Sequence, residues 1–328
     1  MSFSCSVYGL GLGVNVPIAG LAGLSSPQGI DVRMSLGPAP ECVSSVEGNE
    51  WREYYASPEL DGRGEPQVTV HRARDDTRFR ISYLDGTVIF VDAAGREVWA
   101  TIPEGATVED TATYLLGPTL GFVLRLRGVT CLHASAVAID GRAVALAGPS
   151  GTGKSSTAAA FARLGYPVLT DDVAAIRDEG DRFGVEPAYP RVRLWPRSVE
   201  SMFGSTDALP RITPSWDKRF LDLSGDGYRF QREPLPLGAV YLLGDRDSNP
   251  PRIEAVSARE GLMALVSDTY VTYLLERDLR AREFDVLGRI VQAVPVRRAV
   301  PSADFSRICE LCEAIVDDFR RLPQPAAG

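Results

Sequence analysis

The sequence predicts an α/β domain with a mixed sheet, preceded by a mostly antiparallel β module. Short strands separated by turn residues fill residues 1–127, whereas strands and helices alternate over residues 128–328. In the second part, a glycine-rich loop at residues 148–156 separates an apolar run from an alanine-rich run. A length of 328 residues also suggests about two domains.

The composition is that of an ordinary globular protein, with 45% hydrophobic and 24% charged residues. The net charge of -8 argues against nucleic-acid and anionic-membrane partners, which need a basic surface. Residues 1–24 contain no Lys or Arg and so lack the charged start of a signal peptide. No apolar run approaches the length needed to span a bilayer, about 18 residues. We therefore expect a cytoplasmic protein.

The five cysteines are few, odd in number and scattered, so they do not indicate a disulfide framework. Cys309 and Cys312 have the spacing of a metal or redox pair, but no second cysteine pair accompanies them. Because they fall in a helical pattern, positions facing a core explain this spacing better. The other cysteines are Cys5, Cys42 and Cys131.

Elements of the first module follow from alternating apolar residues and turn signals. Asp85 and Gly86 mark a hairpin between two of its strands. A helix is predicted over residues 107–127, with Thr107 and Asp110 as a capping box and a kink at Gly117-Pro118. The predicted strands are residues 5–16, 31–36, 78–83, 87–91 and 97–102.

Elements of the second part alternate between strand and helix up to a frayed tail at residues 323–328. Predicted strands are residues 130–139, 142–147, 166–170, 173–176, 183–189, 218–223, 239–243 and 294–300. Predicted helices are residues 156–164, 198–203, 257–275, 279–292 and 303–322.

The glycine-rich loop fits the pattern G-x-x-x-x-G-K-[ST] between a strand and a helix. Its glycines let backbone N–H groups turn toward a phosphate, and the helix N-terminus adds its positive dipole end. Lys154 would reach the β/γ-phosphates, and the Ser155 hydroxyl would ligate Mg²⁺. An incidental Gly/Ser-rich turn is the alternative. The predicted nucleotide-binding residues are Gly148, Ser150, Gly151, Thr152, Gly153, Lys154, Ser155 and Ser156.

Two adjacent carboxylates, Asp171 and Asp172, end the next strand after the loop helix. A right-handed βαβ unit would place that strand directly beside the strand of the loop, with both carboxyl ends on one rim. One carboxylate could then hold Mg²⁺ while the other accepts the proton of an attacking hydroxyl. A turn or capping role is the alternative. His133, in the strand before the loop strand, is equally compatible with a core position and with a position near the γ-phosphate.

These three motifs together, with their spacing, resemble the catalytic domain of HPr kinase/phosphorylase, whose fold is related to that of phosphoenolpyruvate carboxykinase. The motifs are Leu132-His133-Ala134-Ser135, the loop, and Leu169-Thr170-Asp171-Asp172. The resemblance implies that the loop binds ATP, that Asp171 acts as the base, that Asp172 helps to hold Mg²⁺, and that His133 lies by the transferred phosphate. The layout of the chain is closer to the HPr-kinase-like serine kinases of lasso-peptide-type gene clusters.

The function we expect is an ATP- and Mg²⁺-dependent kinase that phosphorylates a hydroxyl. Its catalytic residues would be Asp171, His133 and Lys154, and its metal ligands Ser155 and Asp172. The resemblance favours a serine of a peptide or protein, including a precursor peptide of a biosynthetic cluster. A nucleotide-binding switch with weak ATPase activity and a small-molecule kinase are the alternatives, and a homo-oligomer stays open. Candidate clamps for phosphate or an acidic substrate are Arg191, Arg193, Lys218 and Arg219.

Overall fold

A computed structural model describes residues 3–40, 50–225 and 227–323. Cys42 and most of the predicted tail, residues 324–328, lie outside the described residues. The chain divides into two compact units. The first comprises Met1–Val129, Thr213–Trp216 and Val271–Arg280, and the second comprises Thr130–Ile212, Asp217–Tyr270 and Ala281–Gly328.

The first unit contains an eight-stranded sheet in the order β1-β2-β3-β8-β7-β6-β5-β4. The pairs β2–β3 and β3–β8 are parallel and the others are antiparallel. The mostly antiparallel module that the sequence predicts is therefore present, with a parallel segment at β3. The strands are β1 (Phe3–Val7), β2 (Leu10–Val14), β3 (Val32–Leu36), β4 (Trp51–Ala56), β5 (Val68–Ala73), β6 (Arg78–Tyr83), β7 (Val88–Asp92) and β8 (Glu97–Ala100).

The predicted kinked helix is two α-helices, α1 (Val108–Tyr114) and α2 (Leu120–Leu126), joined by a π-helical turn. Thr107 and Asp110 form the capping box at its start. Pro118 lies inside the π turn, where its missing N–H removes one α-helical hydrogen bond.

The second unit contains a nine-stranded mixed sheet, and this mixed α/β architecture confirms the predicted fold class at that level. Its main path runs β12-β10-β11-β17-β14-β13-β9, and β19 pairs with β17 and β18. A separate two-stranded ribbon pairs β15 with β16. The strands are β9 (Thr130–Leu132), β10 (Ala134–Ile139), β11 (Arg142–Ala147), β12 (Val168–Thr170), β13 (Ala174–Asp178), β14 (Phe183–Val185), β15 (Arg191–Leu194), β16 (Arg219–Asp222), β17 (Leu235–Leu243), β18 (Arg252–Ala255) and β19 (Val296–Val300).

Alternate residues along the strands of this sheet point to its two faces, and each face packs against helices in a core of its own. One core contains Val144 and Leu146 of β11 with apolar residues of α3 (Lys154–Arg163) and α7 (Ile308–Arg321). The other contains Ala143 and Ala145 of β11 with Leu265 of α5 (Ala258–Ser267) and residues of α6 (Arg277–Ala293). Helix α4 (Pro196–Phe203) follows the ribbon strand β15. Loop and helix α3 are thus held on a sheet that is buried on both sides.

The predicted position of the Asp171 strand is wrong in one respect. Strand β12 pairs with β10 and not with β11, the strand of the loop. The tight turn at Asp140 and Gly141 keeps β10 antiparallel to β11 and occupies that side of β11. Because β10 is antiparallel to both neighbours, β11 and β12 still run in the same direction, so their carboxyl ends lie at one edge of the sheet.

The predicted helix over residues 257–275 is also shorter in the structure, since α5 ends at Ser267. The next residues pair with β9 instead: Leu132 and Thr269 form a bridge, and the Tyr270 N–H donates to the Cys131 carbonyl at 2.8 Å. This nonlocal pairing competes successfully with continuation of the helix.

Cys312 is fully buried in the core beside α3, as predicted from the helical pattern, and burial raises the pKa of its thiol. Cys309 of the same helix is half-buried, and both cysteines are free. In the described ranges, no cluster of three or more His, Cys, Asp or Glu has the arrangement of a metal site. No helix within those ranges has both the length and the apolar character needed to cross a membrane.

Candidate active site

The loop between β11 and α3 turns on three glycines with positive φ, at Gly148 (140°), Gly151 (86°) and Gly153 (106°). A Cβ atom on Gly148 would lie 2.9 Å from the Leu243 carbonyl oxygen of β17, so only glycine fits there. The Thr152 hydroxyl donates to the Pro149 carbonyl at 2.9 Å and closes the loop on itself. The fold required by the sequence motif, a strand followed by a loop and a helix N-terminus, is therefore present.

Lys154 is buried at the first position of α3. Its ammonium group donates to the carbonyls of Gly148 at 2.5 Å and Pro149 at 3.0 Å, and so points back across the loop. Burial lowers the pKa of Lys154, while the charges of Asp268 and Asp172 oppose that effect. The lysine is therefore bonded to the loop and influenced by the charges of both carboxylates.

The two serines after the lysine both line the cavity beside the loop, but they differ in their hydrogen bonds. The Ser156 hydroxyl donates to the Ser198 hydroxyl at 2.9 Å and so ties α3 to α4. Of the two, Ser155 has the clearer opportunity to act as a ligand.

Of the two adjacent aspartates, Asp171 lies in the interior and Asp172 lies at the cavity. Asp171 is only 3% exposed, and its two carboxylate oxygens accept hydrogen bonds from the Ser135 hydroxyl (2.8 Å) and from the Arg193 backbone N–H (2.9 Å). It is not among the described residues that line the cavity, whereas Asp172 is. Asp171 therefore lies outside the described lining of the cavity, whereas the resemblance implied that it acts as the base.

Asp172 has its backbone in the left-handed region (φ 79°), which turns its side chain away from that of Asp171. Its oxygens lie 3.4 Å from His133 Nε2 and 3.6 Å from Arg193 Nη2, and one accepts a hydrogen bond from the Tyr270 hydroxyl at 3.1 Å. Burial raises the pKa of Asp172, but the His133 hydrogen bond and the charges of Arg193 and Lys218 outweigh it and lower the pKa overall. Asp172 is thus held as a carboxylate at the cavity wall.

His133 interrupts the predicted long strand and separates β9 from β10. Its backbone N–H donates to the Asp268 carbonyl at 2.7 Å, and its ring meets the Tyr270 ring edge to face at 5.8 Å. Its side chain is 33% exposed and lines the cavity. Of the two positions that the sequence left open, the structure places it at the cavity and not in the core.

The cavity has a volume of about 490 Å³ and is strongly cationic. Five of its lining residues are Lys or Arg, and Asp172 is the one carboxylate among the described lining residues. Aromatic side chains also contribute to its wall. The chemically distinctive lining residues are His133, Ser150, Lys154, Ser155, Asp172, Arg193, Trp195, Arg197, Lys218, Arg246 and Phe305.

Only two of the four candidate clamps from the sequence reach this cavity, namely Arg193 and Lys218. Arg191 instead lies over the Phe220 ring, 4.0 Å from its centroid. Arg219 is buried, and its guanidinium bonds Asp207 at 3.0 Å and Asp217 at 3.1 Å. These last two arginines therefore have structural roles.

Sequence reasoning missed Tyr270 and Arg246. Tyr270 bonds Asp172 from a segment predicted as helix, and no local signal marks it. Arg246 lies beside the loop, because a Cβ on Gly153 would be 3.0 Å from its Nη2. Its place after the buried strand β17, which runs parallel to β11, could have indicated that it ends at the same edge as the loop.

Comparison with known proteins gives little beyond this geometry. No protein-family model matches the chain, and the search of curated proteins found no match. Among solved structures, the chain is similar to the Hpr(Ser) kinase/phosphatase from Coxiella burnetii, with a TM-score of 0.29 and 15% identity. That match covers 58% of this chain and 95% of the other. A similarity at this level says nothing about the function of this chain.

Proposed function

We propose that the protein is a phosphotransferase that moves the γ-phosphate of ATP to a hydroxyl group. One observation carries the proposal: the loop with Lys154 and the Asp172–His133 pair line the same cavity. A nucleotide-binding loop alone would serve a switch protein equally well. A carboxylate–imidazole pair facing it adds a group that can orient a hydroxyl and accept its proton.

The donor side of the proposed site is the loop and the N-terminus of α3. Backbone N–H groups of the loop and the helix dipole favour the phosphates of ATP. Lys154 supplies a cation directly at the loop, and Arg246 supplies another beside Gly153. Phe305, whose ring lies 5.5 Å from the Arg246 guanidinium, gives this side an aromatic surface.

The residues of the cavity fit a Mg²⁺ ion. Mg²⁺ prefers oxygen ligands and is usually held by one or two carboxylates together with substrate phosphates. Ser155 and Asp172 supply a hydroxyl and a carboxylate on the cavity wall and would hold it. When bound, the ion neutralises charge that develops on the phosphates.

In the proposed step, the acceptor oxygen forms a bond to the γ-phosphorus while the bond from that phosphorus to the β–γ bridging oxygen breaks. ADP carries away the electron pair of the broken bond, and the acceptor proton passes to the His133 imidazole, which Asp172 holds in place. Because such transition states are loose, the chain contributes mainly position and charge. Lys154 at the loop and Arg193 beside Asp172 supply that charge.

Asp171 has a positioning role in this proposal instead of the base role that the sequence resemblance implied. Its hydrogen bonds to Ser135 and to the Arg193 backbone join β10 to the ribbon strand β15. They thereby hold Arg193, whose side chain lies beside Asp172. The acceptor we favour, a serine of a peptide or protein, rests on the resemblance of the three sequence motifs.

Incubation of the purified protein with γ-labelled ATP, Mg²⁺ and serine-containing peptides tests the proposal. We expect label on the peptide and, for Lys154→Ala, at least about a tenfold loss of ATP affinity, which corresponds to one lost charged contact. Arg163→Gln, exposed at the other end of α3, is the control and should bind ATP normally. Unchanged affinity in Lys154→Ala would refute the nucleotide site. Release of free phosphate without label on any acceptor would favour the switch protein.

A further inference from the structure

The ribbon of β15 and β16 presents a cationic surface to the cavity. Its register pairs Arg193 with Phe220 and Leu194 with Arg219. Val192 and Leu194 are buried in the core, so the alternation of side chains turns Arg193 and Trp195 to the other face. Lys218, which precedes β16, lies on that same side with its ammonium 4.8 Å from the Trp195 ring centroid. Arg193, Trp195 and Lys218 line the cavity, whereas Arg191 and Phe220 of the same face pack on each other outside it.

Four of the five cations of the cavity form two pairs, and the fifth, Lys154, is bonded to the loop. Arg246 lies against Gly153 of the loop and lines the cavity together with Arg197, whose charge adds to burial in lowering the pKa of Arg246. Lys218 has its pKa lowered by burial and by the charge of Arg193. The first pair adjoins the donor loop, and the second adjoins Asp172.

The ribbon cations are more than the proposed donor needs. A metal-bound nucleoside triphosphate carries a net charge of about −2, and Lys154, Arg197 and Arg246 already exceed that on the loop side. On the other side, Arg193 and Lys218 are influenced both by the carboxylate of Asp172 on the cavity wall and by that of Asp171 in the interior. Because Asp171 is enclosed by its own hydrogen bonds, Asp172 is the one carboxylate among the described lining residues that meets these two cations inside the cavity.

We infer that Arg193 and Lys218 form a subsite for an anionic group of the acceptor, a carboxylate or phosphate adjacent to the hydroxyl that is phosphorylated. This inference rests on the proposed function and names the substrate class of that site. The anion would lie on the ribbon face and bring its hydroxyl to Asp172, which Arg193 approaches to 3.6 Å. The half-exposed Trp195 ring, 53% accessible, borders the subsite with an apolar wall.

Titration calorimetry with inorganic phosphate tests the subsite directly. The full chain is first saturated with Mg²⁺ and the β,γ-imido analogue of ATP, which fills the donor positions including that of the γ-phosphate. We expect phosphate to bind this complex, and we expect Lys218→Gln and Arg193→Gln each to weaken it by about tenfold or more. Lys218→Arg keeps the charge and should retain binding.

Arg191→Gln is the matched control, because it removes the same charge from the same strand at a residue that does not line the cavity. It should leave phosphate binding unchanged. The inference fails if phosphate does not bind the saturated complex, or if Lys218→Gln weakens the nucleotide analogue instead of phosphate. The second result would assign Lys218 to the donor.

Failure of the proposed function gives a different pattern. If the nucleotide analogue does not bind at all, the nucleotide site is wrong, and the phosphate titration is repeated on Lys154→Ala. If Lys154→Ala binds phosphate and the added Lys218→Gln abolishes that binding, the anion subsite is supported. If the added substitution has no effect on phosphate binding, the anion subsite is wrong.

Two sources of the anion are separated by competition against phosphate. Glycerol 3-phosphate represents a small molecule, and a five-residue peptide with an aspartate on each side of a serine represents a polypeptide. The one that displaces phosphate at lower concentration identifies the source. If neither displaces phosphate, the site does not recognise an anionic alcohol and the inference is overturned.

Discussion

Asp171 and Asp172 are neighbours in the chain with opposite surroundings. Asp171 is enclosed by two donors in the interior, whereas Asp172 faces the cavity among His133, Tyr270 and Arg193. Neighbouring side chains of an extended chain point in different directions, and the left-handed backbone at Asp172 sets which one reaches the cavity. The sequence predicts that both aspartates belong to the site. It does not predict which of them faces the cavity, because φ at Asp172 depends on contacts from distant segments.

Substitution of each aspartate by asparagine should separate their roles. Asp172→Asn is expected to lower phosphoryl transfer by about 100-fold or more, because the proton-accepting pair is lost. Asp171→Asn should destabilise the protein by about 1–3 kcal/mol, since an amide N–H₂ then faces the Ser135 or Arg193 donor. Its transfer rate, measured below the melting temperature, should stay within about tenfold of the wild type.

Ser135→Ala is the companion variant, because it removes one donor from Asp171 and leaves the carboxylate in place. It should also lower the unfolding free energy, by about 1 kcal/mol. If Asp171→Asn abolished transfer while leaving the melting temperature unchanged, Asp171 would be the base and our assignment would be wrong.

At the scale of elements, the predictable features are those with local signals. The loop, its flanking strand and helix α3 follow from glycine placement and helix propensity. Local signals do not predict that β12 pairs with β10 or that α5 ends at Ser267, because pairing with other strands decides both features. The sequence therefore predicts the loop, but it predicts only some of the residues that face the loop across the cavity.

The loop glycines provide a test of this motif's geometry. Gly148→Ala should cost about 2–3 kcal/mol, because the new Cβ would meet the Leu243 carbonyl oxygen at 2.9 Å in a backbone region that alanine avoids. Gly151→Ala also has a positive φ but has open space around it, and should cost only about 1 kcal/mol. Thermal unfolding measures both. Equal losses would contradict the close approach of the loop to β17.

The capping box of α1 gives the first unit a pH dependence. Burial raises the pKa of Asp110, but hydrogen bonds with Ser215 and Thr107 outweigh it and lower the pKa to about 2. A carboxyl group whose folded pKa is below its unfolded value stabilises at neutral pH, and that contribution disappears as the pH falls from about 5 to about 2. Asp110→Asn should therefore cost about 1–2 kcal/mol at pH 7 and distinctly less at pH 3.

Urea unfolding at the two pH values measures this difference. Glu109→Gln, exposed in the same helical turn, is the control and should change stability little at either pH. A cost for Asp110→Asn that is the same at pH 3 and pH 7 would contradict the assignment of the charge effect to Asp110.

At the scale of the whole molecule, the chain returns twice to its first unit, at Thr213–Trp216 and Val271–Arg280. In the second return, Tyr273 stacks on Tyr55 of β4 at 4.3 Å, and the Tyr54 hydroxyl donates to the Leu274 carbonyl at 3.0 Å. No local pattern marks such a return, since the partners are more than 200 residues apart. This is why composition and periodicity do not reveal these segments.

Removal of the stacked ring tests the second return. Tyr273→Ala should reduce local stability around β4 by about 1 kcal/mol, the usual contribution of an aromatic pair, and should speed amide hydrogen exchange in Trp51–Ala56. Phe284→Ala removes a comparably exposed ring from α6 and should leave exchange in that strand unchanged. Unaltered exchange in both variants would mean that the contact does not support β4.

The alternation along β15 has a consequence for how such a site diverges during evolution. Val192 and Leu194 anchor the strand in the core, so their replacement is limited by packing. Arg193 and Trp195 lie on the other face, and the ribbon is separate from the sheet that carries the loop. Mutation can therefore change these outward positions while the fold is inherited intact. Replacement of Arg193 on the strand, or of Trp195 directly after it, would then change what the cavity binds without changing the fold.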